Sequence, residues 1–144
     1  MTSQKDEFNT LSFYSLAHLD IKYFIHQHCV DAFQAQTADK DTKPIGLVFS
    51  LIGLYLFLEK GYTGRQVQNA HMKLAQNKKA WPLLSLPAER GTITVTNVLN
   101  AVPGQERDRM IKEWCSSVWI AYRDWHATIA NFVKAEPGLT MIES

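Results

Sequence analysis

The segment of the chain with the most side chains able to do chemistry is HQHCVDAFQAQ, residues 26–36. It combines imidazole, thiol, carboxylate and amide groups, the types that bind transition metals or transfer protons. On a helix, residues three or four apart share a face. This spacing pairs His26 with Cys29, and His28 with Asp31, on different sides of the helix. Only His26 lies on the apolar stripe of this helix, which consists of Leu19, Tyr23, His26, Val30 and Phe33. We therefore expect His28 to face solvent.

A second chemical candidate, His126, lies between two apolar rows of the last predicted helix. It could face His26 if the two helices are neighbours. We favour two core histidines that bond to each other, to Gln36 or to a backbone carbonyl. The open alternatives are a metal held with a carboxylate such as Asp31 or Glu59, and a small-molecule site. Strong metal signatures such as HEXXH or paired CXXC are absent from the sequence, so we expect no cofactor.

Cys29 and Cys115 are the two cysteines of the chain, and we expect both to be reduced. Two cysteines without metal spacing are weak evidence for a disulfide. His26 could activate the Cys29 thiol, but a cysteine among apolar helix residues is more often an inert packing residue. The sequence also contains no phosphate-binding glycine loop and no nucleophile elbow, which disfavours nucleotide chemistry.

Four large aromatic rings follow one another on successive turns near the end of the chain: Trp114, Trp119, Tyr122 and Trp125. Such a row is usually core, but rings spread over adjacent rows cannot all contact the same neighbouring helix. Some are expected to line a pocket between helices or to pack against a second subunit. The candidate ligand-binding residues are therefore His26, Asp31, Gln36, Trp119, Tyr122 and His126.

The composition indicates a globular domain. The chain has 144 residues, of which 46% are hydrophobic, and a formal net charge of +1, so no global field attracts nucleic acid or an anionic membrane. The start of the chain lacks a positively charged stretch followed by an apolar run, so we expect no signal peptide and a cytoplasmic location. The most apolar run, residues 45–58, is shorter than the roughly 20 residues that cross a bilayer.

Hydrophobic periodicity predicts an all-α fold, a compact bundle of four main helices plus a short one. Two prolines and a glycine predict an irregular connection around residues 80–94. Helix 44–60 is apolar nearly all round, so we expect it at the centre, packed against both the first and the last helix. The other helices are expected at about residues 15–37, 63–77, 95–102 and 105–134.

The expected domain covers residues 15–135, with an N-terminal extension at 1–14 and a flexible tail at 136–144. Within the central helix, Gly46 and Gly53 share a face. Because glycine in a helix costs roughly 0.5–1 kcal/mol relative to alanine, we expect both to allow the close approach of a neighbouring backbone.

Four motifs resemble a family of small bacterial proteins described as a domain of unknown function. They are H-x3-V-D-A-F-x2-Q at 26–36, LIGLYLFLEKG at 51–61, TVTNVL at 94–99 and W-x3-VW-x-A-Y-x2-WH at 114–126. The resemblance spans roughly residues 26–133 and implies an all-helical domain without an established activity. Similar proteins place histidines where this chain has Thr37 and Ser50, which weakens a metal site. The matching polar positions that remain are His26, Asp31, Gln36 and His126.

The leading hypothesis is a non-enzymatic binding or accessory protein that recognises a protein partner or a small molecule and can form a homodimer through its aromatic last helix. No nucleic acid or membrane partner is expected. The alternative is a small enzyme or metal-binding protein with a buried site built from His26, Asp31, Gln36 and His126.

Overall fold

The computed structural model describes residues 3–17, 24–76 and 80–136. Within these ranges the regular structure is helical and includes no strand, which confirms the predicted all-α class. The helices are α1 (Gln4–Ala17), α2 (His26–Thr37), α3 (Pro44–Lys60), α4 (Gly64–Ala75), α5 (Val95–Asn100), α6 (Gln105–Ala121) and α7 (His126–Lys134), with a 3-10 turn at Arg123–Trp125.

Helix α3 forms the centre of the bundle, as predicted. It contacts α2, α4, α6 and α7, and every residue from Ser50 to Phe57 is buried. Pro44 lies in its first turn, where a missing N–H leaves no helical hydrogen bond unmade. Gly61 ends it with a left-handed φ of 70°. Its apolar surface is therefore covered by other helices.

None of the helices in the described ranges combines the length and the apolar character that a membrane-spanning helix needs.

The single helix expected over residues 15–37 is wrong, because the structure has two helices there. Helix α1 ends at Ala17 and α2 begins at His26. Phe24 has a φ of 50°, a left-handed value that an α-helix cannot continue through. Residues 18–23 of the expected helix lie outside the described residues.

The N-terminal segment also differs from the expected extension at residues 1–14. Helix α1 packs on α2 and α5. Leu11 is fully buried, and the ring of Phe8 stacks on Phe33 of α2 with centroids 4.3 Å apart. Residues 4–14 are therefore part of the packed helical structure. Most of the tail expected at 136–144 lies outside the described residues.

The long last helix expected over residues 105–134 is interrupted at Tyr122, where φ and ψ are −94° and 23°. The hydroxyl of Tyr122 donates to the carbonyl of Ala35 in α2 at 2.7 Å. The backbone N–H of Tyr122 donates to the carbonyl of Trp119, three residues earlier, whereas an N–H in an α-helix donates to the carbonyl four residues earlier. This bond begins the 3-10 segment. This bend redirects the chain, so that α7 packs against α3.

The irregular connection predicted around residues 80–94 is confirmed, since these residues form neither helix nor strand. The helices before and after it both begin at capped residues. Thr63 and Gln66 satisfy each other's backbone N–H groups at the start of α4. At the start of α5, the side-chain oxygen of Asn97 accepts from the backbone N–H of Thr94 at 2.9 Å. The local sequence therefore defines where these helices begin.

Gly53 allows α2 to approach α3 closely. A Cβ atom at this position would overlap the carboxyl group of Asp31. A Cβ atom at Gly46, on the same helix, would meet no other atom within 4 Å. The close approach expected at Gly53 is present, but a side chain makes it and not a neighbouring backbone; at Gly46 the expectation is wrong.

Replacing Gly53 with alanine should lower the free energy of unfolding by about 1–3 kcal/mol, because the added methyl group displaces the Asp31 carboxyl group. The matched control Gly46→Ala should leave it unchanged or raise it by about 0.5–1 kcal/mol, since alanine favours the helix. Urea unfolding followed by circular dichroism measures both. Equal effects of the two substitutions would contradict a confined contact between Asp31 and Gly53.

Candidate functional site

Asp31 lies in the interface between α2 and α3 with 2% of its surface exposed. Its Oδ1 accepts a hydrogen bond from Nε2 of Gln27 at 3.1 Å. Its Oδ2, which faces Gly53, has no hydrogen-bond partner among the described residues. Burial raises the pKa of Asp31 well above its ordinary value, with the Gln27 bond a smaller opposing effect. The interface therefore favours the neutral acid.

His28 is fully buried, so its expected exposure to solvent is wrong. Its ring stacks on Phe57 of α3 with centroids 3.6 Å apart. Burial lowers the pKa of His28 to about 3, which keeps the imidazole neutral. The apolar stripe of α2 misled the prediction, because the most buried face of this helix is a different one. That face consists of His28, Cys29, Asp31, Ala32 and Ala35.

His26 is only partly buried and belongs to the contact between α1 and α2. Its Nδ1 lies 3.0 Å from Oγ of Ser15, and its ring meets the edge of Phe24 with centroids 5.8 Å apart. Burial lowers the pKa of His26. These contacts hold the start of α2 against α1.

His126 stacks on Trp119, with ring centroids 3.8 Å apart and an interplanar angle of 9°. Its Nε2 lies 2.7 Å from the carbonyl oxygen of Trp119 and therefore must carry the proton that it donates. The indole N–H of Trp119 donates to Oε2 of Glu59 at 3.0 Å. His126 thus closes the bend between α6 and α7. Of the partners expected for the two histidines, His126 therefore has a backbone carbonyl, whereas His26 bonds to Ser15 and not to His126.

Gln36 attaches the irregular connection to the bundle. Its Nε2 donates to the carbonyl of Ile93 at 2.7 Å and to that of Arg90 at 3.2 Å. Its Oε1 accepts from the indole N–H of Trp114 in α6 at 2.9 Å. One amide side chain therefore joins α2, α6 and the connection, and it has a supporting role.

Arg90 strengthens the same attachment from the other side. Its guanidinium donates to the carbonyls of Gln36 and Ala38 at the end of α2 and to the carbonyl of Pro87 at 2.7 Å. Cations are favourable at the C-terminal end of a helix, where carbonyls remain unpaired. Burial raises the pKa of neighbouring Tyr122, with Arg90 opposing the shift.

The aromatic row contacts other residues of the same chain. Trp114, Trp119 and Tyr122 are buried, and the indole N–H of the partly buried Trp125 donates to the carbonyl of Ser85 at 3.0 Å. Most of the surface of these rings is therefore covered within the chain, and a ligand or a second subunit at the row stays a prediction. The bend at Tyr122 and the irregular connection cover the rings that one helix could not.

Cys29 and Cys115 are buried free thiols, as expected. The thiol of Cys115 donates to the carbonyl of His28 at 3.6 Å. Burial raises the pKa of both thiols. Both side chains are therefore suited to packing and poorly suited to nucleophilic chemistry.

No group of three or more histidine, cysteine, aspartate or glutamate side chains converges as metal ligands in the described parts of the chain. The alternative ligands His26 and His126 bond to Ser15 and to Trp119, respectively. Of the candidate ligand-binding residues, Trp119 and His126 are in contact. Gln36 follows Ala35, whose carbonyl accepts a hydrogen bond from the hydroxyl of Tyr122.

An open groove of about 880 Å³ lies between the irregular connection and the outer face of α6. Ligand pockets commonly have volumes of roughly 300–1,000 Å³. We call it the α6 groove and define it by the lining residues Glu89, Glu113, Ser116, Ile120, Arg123 and Asp124. None of these was a sequence candidate. The only sequence signal was Ile120, an apolar residue on the same helix face as Glu113 and Ser116.

Ser117 and Gly91 form the base of the α6 groove. The hydroxyl oxygen of Ser117 accepts from the backbone N–H groups of Thr92 at 2.8 Å and of Ile93 at 3.4 Å. Gly91 has a φ of 100°, and a Cβ atom there would overlap Ser117. The connection therefore lies directly on α6 because glycine permits both the conformation and the approach.

The buried acid Asp31 should make stability depend on pH. The unfolded chain ionises Asp31 at its ordinary pKa and the folded chain only at higher pH, so stability falls as the pH rises between the two values. The slope reaches about 1.4 kcal/mol per pH unit. We expect Asp31→Asn to lose this slope in urea unfolding measured between about pH 4 and pH 8.

The comparison of the variant with the parent cancels the titration of His28, which acts in the opposite direction because its pKa is lowered. Asp41→Asn, at an exposed carboxylate, is the matched control and should keep the parent's profile. If the free energy of unfolding changed with pH in the same way for Asp31→Asn and for the parent, the raised pKa of Asp31 would be contradicted.

Cys29 and Cys115 should both fail to react with dithiobis(nitrobenzoate) in the native protein, because they are fully buried and their thiolates are disfavoured. Both should react once the protein is unfolded in guanidinium chloride. Absorbance of the released thiolate measures the reaction, and rapid labelling of the native protein would contradict the closed packing.

Comparison with known proteins gives a family assignment over most of the chain. The model of a family described as a family of unknown function, DUF5946, matches residues 5–123. No curated protein and no solved structure matches the chain. The matched region runs from α1 to the turn after α6 and so includes the buried layer around Asp31 and most of the α6 groove. The chain therefore belongs to this family of unknown function, DUF5946.

Proposed function

We propose that this protein is a non-enzymatic binding or accessory protein that uses the α6 groove to contact its partner. The observation that carries the proposal is an open, ligand-sized groove formed by a connection that is held in place by hydrogen bonds. A protein partner or a small molecule could occupy a groove of this volume.

The attachment of the connection supports a binding role. The side chains of Gln36 and Ser117 bond to backbone groups of the connection. Arg90, which belongs to the connection, donates to a carbonyl at the end of α2. A surface that is ordered before its ligand arrives loses less conformational entropy on binding. The α6 groove is therefore preorganised, although an irregular segment forms one of its walls.

The polar residues of the alternative buried site have separate structural roles. His26 bonds to Ser15, Asp31 to Gln27, and His126 to the carbonyl of Trp119. A general acid or base must reach its reacting partner within hydrogen-bond distance. Because these bonds lie within the packed helices, they favour a structural role over catalysis for these three residues.

We also propose a cytoplasmic location. Cys29 and Cys115 are both free thiols in facing helices. Disulfides form and persist in secreted proteins, whereas reduced thiols are typical of the cytoplasm.

Site-specific photo-crosslinking tests the proposal. A photo-crosslinking amino acid replaces Ile120 in the groove in one variant and Met72 on α4 in the control variant. The two side chains are 55% and 61% exposed, so they sample solvent similarly. In living cells, position 120 should give a defined adduct that position 72 does not give. Mass spectrometry identifies the adduct. The absence of adducts at position 120, or the same adducts at both positions, would refute a binding role for the groove.

A further inference from the structure

We propose that the α6 groove binds an extended segment of a partner protein that carries lysine or arginine beside an aliphatic side chain. This inference rests on the proposed function, in which the groove is a binding surface. It adds the chemistry of the occupant, which the charges and the apolar surface of the groove define.

The charge of the groove is negative although the whole chain has a formal net charge of +1. Its lining includes three carboxylates, Glu89, Glu113 and Asp124, and one guanidinium, Arg123. A groove lined mainly by one sign of charge attracts ligands of the opposite sign.

Not all of these charges are equally available. Glu113 pairs with Arg109 at 3.1 Å, where both side chains are about half exposed. Arg123 donates to the carbonyl of Ile120 at 3.4 Å. Glu89 and Asp124 form no ion pair or hydrogen bond through their carboxylates with the described residues. These two carboxylates are therefore the groups most available to a cationic ligand.

The C-terminal end of α6 adds to the negative potential. The helix ends at Ala121, and Ile120 and Ala121 line the groove. The last carbonyls of a helix carry a partial negative charge. Here the carbonyls of Trp119 and Ile120 accept from the side chains of His126 and Arg123. Since Asp124 follows directly after this end, the helix terminus and a carboxylate act on the same side of the groove.

The apolar part of the groove lining favours a partner segment in which an aliphatic side chain lies next to the lysine or arginine. Ile120 is 55% exposed, and Pro87, Ala88 and Ile93 also line the groove. An aliphatic side chain over Ile120 would remove this surface from water. Because the groove is open, a peptide chain can lie in it with both ends in solvent, which favours an extended segment over a small enclosed molecule.

Fluorescence anisotropy with short labelled peptides tests the inference. One peptide has a leucine flanked by lysines, and the others replace the lysines with glutamate or glutamine. The lysine peptide should bind at least about tenfold more tightly than the glutamate peptide at low salt. This preference should shrink as the ionic strength rises from about 0.05 M to 0.5 M.

Paired charge variants locate the binding. Glu89→Gln with Asp124→Asn should weaken the lysine peptide about fivefold, since exposed charge pairs contribute modestly. The control, Asp41→Asn with Glu106→Gln, makes the same charge change at exposed residues that do not line the groove. It should alter the affinity by less than about twofold. Unchanged melting temperatures establish that both variants are folded.

Several results would overturn the inference. These are equal binding of the three peptides, preference for the glutamate peptide, or equal losses in the two double variants. Self-association of the chain in light scattering that is lost in Glu89→Gln/Asp124→Asn would identify a second copy as the occupant and would also overturn it. A specific crosslink at position 120 without a lysine preference would retain the binding role and reject only this partner chemistry.

Discussion

The contact between Asp31 and Gly53 is the constraint on which the rest of the structure depends. A carboxyl group occupies the space that any other residue at position 53 would need for its Cβ atom. This contact brings α2 close to the central helix and buries one face of α2, including His28 on Phe57. Burying a charged group costs far more free energy than burying the same group in its neutral form. The raised pKa of Asp31 and the lowered pKa of His28 both favour neutral forms.

The position of α2 then determines how the second half of the chain is arranged. Ala35 and Gln36, one turn beyond Asp31 and Ala32, bond to the side chains of Tyr122 and Trp114. Gln36 also holds the irregular connection through two backbone carbonyls. The α6 groove is the open space left between this anchored connection and the outer face of α6. The buried polar side chains thus support the groove without lining it.

This division of roles bears on function. The residue types that suggest catalysis or metal binding, such as His26 and His126, make bonds that join helices. The residues with chemistry left to offer a partner are common surface types, such as Glu89 and Asp124 beside the exposed Ile120. A negative groove with an apolar patch is suited to recognition, since electrostatic complementarity governs specificity and encounter.

The sequence by itself determined the local features of this protein. Periodicity and composition predicted an all-α fold, an apolar central helix and an irregular connection, because these depend on residues close together in the chain. The same reasoning also placed both cysteines correctly as packing thiols. It identified Gly53 as a point of close approach.

Only the tertiary structure decided which polar residues are buried, where the long helices break and where the groove lies. The apolar stripe of α2 suggested that His28 was exposed, but the face covered by α3 and α6 is the one that carries His28 and Asp31. The bend at Tyr122 is fixed by a bond to Ala35, 87 residues away, and the indole of Trp114 reaches Gln36 across 78 residues. A periodic pattern records which residues are apolar, but it does not record which distant backbone groups will meet them. These long-range contacts form only when the helices are packed together. They use the supporting side chains, which therefore differ from the residues of the proposed binding surface.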